Sequence, residues 1–579
     1  MASAVMKNKS SSRLQLITGL FVFIGLALAA KLFFVQIIIG ENYRQQAERQ
    51  HRQSLAGQTF NRGSIFFEDK NGALVSGATL QANFILTINP TQIIKPPETY
   101  SKLKMIWPTL VETEFASKAA RAGDPYEEIA GQLTATATAA VRALNLPGVQ
   151  IIEEQSRSYP GGQLAAQTLG FIGYDSTGTA KTGRYGLEKQ YNEFLSRDNE
   201  LTFTTFLSKL FSTTVDPSQD SATTPRGDIV LTIEPKVQRF LEDQLSIIME
   251  HWQTKTAGGI ILDPRTGAIF ALAAQPTFDP GQKQSDLSLL INPLIERVYE
   301  MGSVLKPLTL AAGLDAGVID EQTEYFDAGR ISINGKTISN YDGRARGRVP
   351  IQEIINQSLN TGAVFIMQKL GPENFQNYFF NRFNLGQKTG IDLPGELKGL
   401  TGNLSSWREV EFATASFGQG IALTPLNLTL ALSTLANDGY PVKPQIIKRF
   451  RYETGLIKDV PAEKGPSAIK AETARRVTAM LVKTVDEVLD GGRARLPHYL
   501  VAAKTGTAQV PRTDGQGYES DKFLHSFFGY FPASAPRFSV FLYVLEPVGA
   551  AYASQTLTTP FSNLAKFLLS YYQVPPDRL

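Results

Sequence analysis

An apolar run extends from Leu14 to Ile39, interrupted only by Gln15, Thr18, Lys31 and Gln36. About 20 apolar residues span a bilayer, and a lysine near one end can reach the headgroups. The pattern predicts a transmembrane helix at residues 14–39. Lys7, Lys9 and Arg13 precede it, which orients residues 1–13 to the cytoplasm and the remainder of the chain outside. Ala27-Leu28-Ala29 resembles a signal-peptide cleavage box, but apolarity resumes through Leu32 to Ile39, as in a retained anchor. Glu41 to Gln53 then reads as a polar helix leaving the membrane.

Beyond the anchor the pattern changes twice. From Leu55 to Pro225 short β-like runs, Phe84 to Ile88 and Val149 to Ile152, flank a helix-like stretch, Glu127 to Leu144. No acid/base constellation appears there, so residues 40–225 read as a pedestal or docking domain. Ser212 to Gly227, rich in Ser, Thr, Asp and Pro, reads as the boundary loop. Residues 226–579 open with a β run, Asp228 to Ile233, and an amphipathic helix, Val237 to Met249. A hairpin follows, Gly259 to Leu262 and Ala268 to Ala273, across the turn Asp263-Pro264-Arg265-Thr266-Gly267. Helical patterns dominate from Leu308 to Ala436, strands return at Ala502 to Val510 and Arg537 to Leu545, and a last helix covers Phe561 to Tyr572. Strands at both ends with helices between predict an α+β domain whose sheet joins its N- and C-terminal parts.

Composition narrows the chemistry. A formal net charge of +3 over 579 residues leaves no electrostatic footprint for nucleic acid. Zero cysteines exclude disulfides, thiolate metal sites and cysteine catalysis. The four histidines, His51, His251, His498 and His525, are scattered, so a metal cluster or a Ser-His-Asp triad has little support and no cofactor is implied. His525 reads as a packing residue near the site strand.

Three pieces carry the chemistry: Ser303-Val304-Leu305-Lys306, Ser358-Leu359-Asn360 and Lys504-Thr505-Gly506-Thr507. Together they form the S-x-x-K, S-x-N, K-T-G series of serine acyl-transfer enzymes. Singly each is weak, since about two S-x-x-K matches arise by chance at ordinary Ser and Lys usage in a chain this long. Ser101 to Lys104 and Ser467 to Lys470 are such decoys, as are the K-T-G matches at Lys181 and Lys388. Context selects Ser303. Pro307 is tolerated only near a helix start, so it fixes that start close to Ser303, where free N–H groups favour a developing alkoxide. Lys306, three residues on, shares the helix face and becomes a base if desolvation or a neighbouring cation lowers its pKa. Ser101 lies among lysines, and Ser467 follows Gly465-Pro466 at a solvated helix start.

Lys504 lies in a short β-compatible run, whereas Lys181 and Lys388 lie in turns. On a strand Lys504 and Gly506 share one face, and Thr505 and Thr507 the other. Gly506 is expected to admit a substrate backbone to the strand edge. The hydroxyls and ammonium suit a terminal carboxylate, and the Thr507 N–H completes an oxyanion hole with that of Ser303. Ser358 can relay a proton between Lys306 and a leaving amine, and Asn360 can hold Lys306 and the substrate amide. Gln419 and Gly420 are secondary candidates for substrate contact.

The chain resembles the class B penicillin-binding proteins, nearest the division-type, FtsI-like branch. Besides the three pieces, the likeness includes Arg62-Gly63-Ser64-Ile65, Tyr159-Pro160-Gly161-Gly162 and Gly186-Leu187-Glu188-Lys189. It continues through Leu231-Thr232-Ile233-Glu234, Asp263-Pro264-Arg265-Thr266-Gly267, and Phe417-Gly418-Gln419-Gly420-Ile421 before Thr424-Pro425-Leu426. Met301 stands where that family has Pro, Ala503 where it usually has Gly, and Phe66 to Gly72 is about two residues longer than its usual turn. The resemblance implies a serine β-lactamase-like transpeptidase domain, with peptidoglycan stem peptides ending in D-Ala-D-Ala as substrate and β-lactams as covalent inhibitors. It also implies a membrane glycan polymerase and other division proteins as partners. The Glu-Asp-x-x-Phe motif of class A glycosyltransferase domains is absent, so polymerase activity is not expected. A carboxypeptidase or β-lactamase is the first rival, weakened because no Glu-x-x-x-Asn element of the class A type is identified to activate a deacylating water. A non-catalytic penicillin sensor or scaffold is the second. Tyr299-Glu300 before Met301-Gly302-Ser303 leans towards division rather than elongation.

Overall fold

The computed structural model describes residues 60–121, 125–175, 181–197, 225–512 and 517–578, with 22, 23, 25 and 31 besides. The expected anchor at residues 14–39 lies almost wholly outside these. Among the described residues no helix is long and apolar enough to cross a membrane.

The described residues fall into two compact units, and the division does not follow the boundary near residue 225. Ala82–Gln155 cluster in the smaller unit, while Arg62–Gln81, Ser156–Arg197 and everything described from residue 225 cluster in the larger. In the smaller unit Phe84 to Ile88 pairs antiparallel with Glu127–Leu133. Helices Pro96–Ile106, Glu112–Ala119 and Ala135–Ala143 supply Leu103, Phe115 and Val141 to a core shared with Leu86, Ile88 and Leu133. The helix expected over Glu127 to Leu144 is thus a strand followed by a helix. Thr134 is the break, since its hydroxyl accepts the Ala137 N–H and caps the helix.

The larger unit is built on a five-stranded antiparallel sheet. The elements that frame the sheet and the site, in chain order, are α1 (Pro235–Trp252), β1 (Thr256–Leu262), β2 (Ile269–Gln275), α2 (Lys306–Asp315), α3 (Asn360–Leu370), α4 (Ala471–Glu487), β3 (Ala502–Pro511), β4 (Tyr518–Phe531), β5 (Phe538–Leu545) and α5 (Ala553–Tyr571). The spatial order β3-β4-β5-β1-β2 joins the N- and C-terminal strands, as the sequence pattern predicts, and leaves β3 at an edge. Alternation along the strands feeds two cores. Ile261, Phe527, Phe531, Val540 and Leu542 pack with Val237, Leu241 and Leu245 of α1 and Leu557, Phe561 and Leu564 of α5. Ile260, Leu262, Phe528 and Phe541 belong to a second core with Leu308 and Leu310 of α2 and Val364 of α3. The last helix starts at Ala553 rather than Phe561. Pro560 lies inside it and breaks the sequence signal without breaking the helix.

Within the helical part lie two hairpins that the apolar pattern hides. Glu324–Asp327 pairs with Gly347–Pro350, and Arg330–Ile333 pairs with Lys336–Ser339. Their strands have four residues each, too short for a legible period.

Three of the quoted sequence pieces meet in the larger unit around one buried carboxylate. Glu188, 0% exposed, accepts from Arg62 Nε and Arg157 Nε at 2.6 Å each and from the Tyr159 hydroxyl at 3.3 Å. Arg157 also donates to the Gly63 carbonyl, and Arg62 to Asn192 Oδ1. A side chain at Gly63 would strike the Gly227 carbonyl at 2.0 Å, so the Arg-Gly pair is fixed by close packing as well as by charge.

Candidate active site

Ser303 lies in a single 3-10 turn, Gly302–Leu305, that leads into α2. In a 3-10 turn positions i and i+3 eclipse, which stacks Lys306 directly after Ser303; the Lys306 N–H bonds the Ser303 carbonyl. Pro307 falls in the first turn of α2, where its missing N–H costs nothing.

Two glycine contacts hold this turn from opposite sides. A Cβ on Gly418 would lie 2.2 Å from the Gly302 carbonyl oxygen, and the Gly302 N–H donates to the Gly418 carbonyl at 3.0 Å. Both glycines have positive φ, +64° and +80°, which side-chain-bearing residues rarely adopt. On the other side a Cβ on Gly506 would lie 2.5 Å from the Met301 carbonyl oxygen and 2.9 Å from the Val304 nitrogen. Gly506 therefore lets β3 close onto the serine's turn, a contact that the sequence reading did not foresee. Buried Ser526, opposite Gly506 on β4, donates to the Met301 carbonyl at 2.9 Å and reaches that of Gly506 at 3.4 Å. It escaped the sequence reading, although a lone hydroxyl between Leu524 and Phe528 in an apolar strand is a usable signal.

The Ser358–Asn360 turn arrives from across the cleft, just ahead of α3. Lys306 Nζ lies 2.5 Å from the Ser358 carbonyl oxygen, 2.8 Å from Asn360 Oδ1 and 3.2 Å from Ser358 Oγ. Lys504 Nζ donates to Ser358 Oγ at 3.1 Å and to the Thr505 carbonyl at 2.9 Å. One hydroxyl thus stands between two lysines. Ser358 has φ +55°, a left-handed conformation that costs about 1 kcal/mol or more for a residue with a side chain and marks an over-determined turn. The Lys306 contacts all go to this turn and none to the Ser303 hydroxyl. The Asn360 Nδ2 donates to the Ser339 carbonyl at 2.9 Å, so part of the amide foreseen for substrate is held by the protein.

Both lysines are buried, at 1% and 4% exposure. Burial, and then the facing Lys504, hold the Lys306 ammonium well below the ordinary lysine range. Burial alone brings Lys504 down to about 7. A neutral Lys306 has two N–H groups and a lone pair. The two carbonyl-type acceptors, Ser358 O and Asn360 Oδ1, take the N–H groups and leave the lone pair for a hydroxyl.

Thr505 and Thr507 are half-buried on the other face of β3. The Thr507 hydroxyl accepts from the Ala553 N–H at 3.2 Å and keeps its own proton to donate. Ala503 faces Gly529 across the strands, where a Cβ would meet the Ala503 methyl at 2.9 Å. The missing side chain at 529 makes room for alanine at 503. His525, opposite Thr507, is fully buried against Thr556 Oγ1 and pushed down to about 4 by burial, so it packs as a neutral ring.

The decoys lie elsewhere in the fold. Ser101 sits mid-helix and bonds the Pro97 carbonyl, and Ser467 bonds that of Ile469. Lys181 begins a three-residue strand, and Thr389 of the Lys388 match grips the Glu396 carboxylate. The Gln419 N–H bonds the Thr414 carbonyl, and a Cβ on Gly420 would lie 2.8 Å from Thr414 Oγ1, which gives that stretch a packing role. Among the described residues no His, Asp and Glu cluster could hold a metal ion.

The family model described as penicillin binding protein transpeptidase domain matches residues 257–565, and that of the penicillin-binding protein dimerisation domain matches residues 58–206. The chain is 29% identical over 574 residues to stage V sporulation protein D of Bacillus subtilis, covering 97% of this chain and 86% of the relative. It is 26% identical over 580 residues to the probable peptidoglycan D,D-transpeptidase PbpC of Pseudomonas aeruginosa, covering 99% and 97%. Among solved structures it is similar to penicillin binding protein 3 of Mycobacterium tuberculosis complexed with aztreonam, at 25% identity and a TM-score of 0.66, covering 90% and 98%. The transpeptidase match spans more than half of the sequence and takes in the Ser303 turn, the Ser358 turn and β3, so this chain belongs to the class B penicillin-binding proteins.

Proposed function

We propose that this chain is a peptidoglycan D,D-transpeptidase that cross-links stem peptides through a serine acyl-enzyme. The observation that carries the reading is the Lys306 amine, buried and bonded to two acceptors that cannot donate to it. Ser303 Oγ attacks the penultimate D-Ala carbonyl while Lys306 takes its proton, and the oxyanion is met by the N–H groups of Ser303 and Thr507. Collapse breaks the peptide bond, and the proton passes from Lys306 through Ser358 to the departing D-Ala amine. An amine of a neighbouring stem then attacks the ester, gives its proton back along the same route and restores the Ser303 hydroxyl. Lys504, Thr505 and Thr507 hold the terminal carboxylate along β3.

Residues 226–579 carry this chemistry and residues 40–225 serve as pedestal, with residues 14–39 as a single-pass anchor in a bacterial cell membrane and the bulk outside. The Tyr299-Glu300 context supports a role in septal synthesis, with a glycan polymerase and division proteins as partners. The similarity to a relative named for stage V of sporulation supports a second setting for the same chemistry. β-Lactams should acylate the enzyme, as the aztreonam complex of the solved relative suggests. The test is intact mass after incubation with benzylpenicillin, followed by peptide mapping. One penicilloyl group on Ser303 is expected, and none on Ser303→Ala; full labelling of Ser303→Ala would overturn the assignment.

A further inference from the structure

Behind the Ser358–Asn360 turn lies a fully buried carboxylate that the mechanism above does not use. Asp327 ends the short strand Glu324–Asp327 and is 0% exposed. Among the described residues the hydrogen-bond donors to its carboxylate are all neutral. It accepts from the Gly329 N–H at 2.9 Å, from Asn340 Nδ2 at 2.9 and 3.0 Å, from the Arg346 N–H at 3.1 Å and from the Thr361 hydroxyl at 2.8 Å. The Arg346 guanidinium is turned away to Asp342 and Gln357. A buried charge whose hydrogen bonds all come from neutral groups is costly, and it persists where several of them hold it and depend on it.

What this carboxylate holds is the back of the site. Asn340, its Nδ2 on Asp327, accepts the Thr361 N–H at 3.3 Å and lies 3.2 Å from the Thr361 hydroxyl. Thr361 directly follows Asn360. The residue before Asn340 is Ser339, whose carbonyl takes the Asn360 Nδ2 at 2.9 Å. With the amide nitrogen on a carbonyl, the amide oxygen must face Lys306, where it lies 2.8 Å from Nζ. Were the amide to turn over, an N–H would meet Lys306 and occupy the lone pair that the chemistry needs.

We infer that Asp327 is a positioning residue for acyl transfer: through Asn340, Ser339 and Thr361 it fixes which way the Asn360 amide faces and so keeps the Lys306 lone pair available to a hydroxyl. The inference rests on the acyl-transfer reading. Its observable consequence lies in the pH profile. Ser358 O and Asn360 Oδ1 favour the charged lysine, whereas the facing Lys504 disfavours it. Loss of one acceptor should therefore move the acid-side midpoint of acylation to lower pH while the plateau rate falls.

The experiment measures the second-order acylation rate with a fluorescent penicillin from pH 5 to 10 on wild type, Asp327→Asn, Thr361→Val and Thr361→Ser, each checked for folding by thermal melting. Asp327→Asn replaces an acceptor with an N–H that faces the Asn340 N–H. Thr361→Val removes the hydroxyl tether at almost constant shape, and Thr361→Ser restores it. The expected result is a plateau lowered on the order of tenfold or more in Asp327→Asn and Thr361→Val, with the midpoint shifted to lower pH and recovery in Thr361→Ser. Should Asp327→Asn fail to fold, the two Thr361 variants decide. An unchanged rate, or a lower plateau with an unmoved midpoint and no recovery in Thr361→Ser, overturns the positioning role. Failure of wild type to be acylated on Ser303 would instead refute the acyl-transfer reading itself.

Discussion

In the proposed mechanism two lysines with the same side chain take different tasks, and what surrounds them sets which. Lys306 is buried with acceptors on two sides, which leaves it a lone pair; Lys504, at about 7, is charged below neutrality and loses that charge above it. A base must be neutral and a carboxylate grip must be charged, so the two requirements bracket a pH window. Acylation by a carboxylate-bearing β-lactam should rise as Lys306 loses its proton and fall again as Lys504 does, with the alkaline limb near 7 in the free enzyme. Arginine stays charged at any working pH. Lys504→Arg should remove the alkaline limb while retaining measurable acylation, whereas Lys306→Arg, which has no base, should lose at least about a hundredfold. Stopped-flow or gel-based acylation rates across pH check both, and an alkaline limb that survives in Lys504→Arg would assign it to another group. The placement of both lysines was legible from spacing, since three residues on a helix start and a lysine on a strand suffice. The orientation of Asn360 was not, because it depends on Ser339, 21 positions away and on a hairpin too short to leave a pattern.

At the scale of elements, the site is an edge strand pressed against a helix start, and glycines set the distance. Gly506 was read from the sequence as room for substrate, yet its missing side chain faces the Met301 carbonyl and the Val304 nitrogen. Sequence supplies the need for a small residue and not the direction in which space is short. The Phe417-Gly418-Gln419-Gly420 stretch makes the same point: its first glycine spaces the Gly302 turn, so the stretch bears on Ser303 through backbone packing. Gly418→Ala would add a methyl 2.2 Å from the Gly302 oxygen at a φ of +80°. The backbone must shift, and the serine moves with it. We expect a loss of roughly 2 kcal/mol of stability from strain and overpacking, and a proportionally larger loss of acylation, on the order of a hundredfold if the displacement nears 1 Å. Urea unfolding and acylation rate measured on one preparation test this; equal losses would mean that the turn merely unfolds more often. The strands and helices that were legible are those with a sustained period, such as α1 and β5. Glu127 to Leu144 and the segment before Phe561 misled for opposite reasons, one hiding a helix start at Thr134 and the other carrying Pro560 inside a helix.

On the scale of the whole molecule, the described residues from Arg62 to Arg197 serve two units. Ala82–Gln155 make a core of their own, while the segments on either side of them complete the larger unit. Arg62, Arg157 and Glu188 come from those flanking segments and bring three separated stretches of chain to one buried point, where two guanidiniums share one carboxylate. The arrangement is asymmetric in its consequences. The two cations also hold the Gly63 and Glu188 carbonyls and Asn192, so they can tolerate sharing, but neither tolerates losing the anion between them. Removing one member of a buried ionic group leaves charge uncompensated, at about 3–5 kcal/mol. None of the three residues hydrogen-bonds Ser303, Lys306, Ser358 or Lys504, so the chemistry should be spared as long as the chain stays folded. Glu188→Ala should therefore lose about 3–5 kcal/mol in denaturant unfolding, with the folded fraction still taking up benzylpenicillin at the wild-type rate. Glu188→Gln, which keeps an acceptor but not the charge, should fall between. A Glu188→Ala protein of undiminished stability would show that the glycine contacts, and not the ionic group, hold the flanking segments to the larger unit.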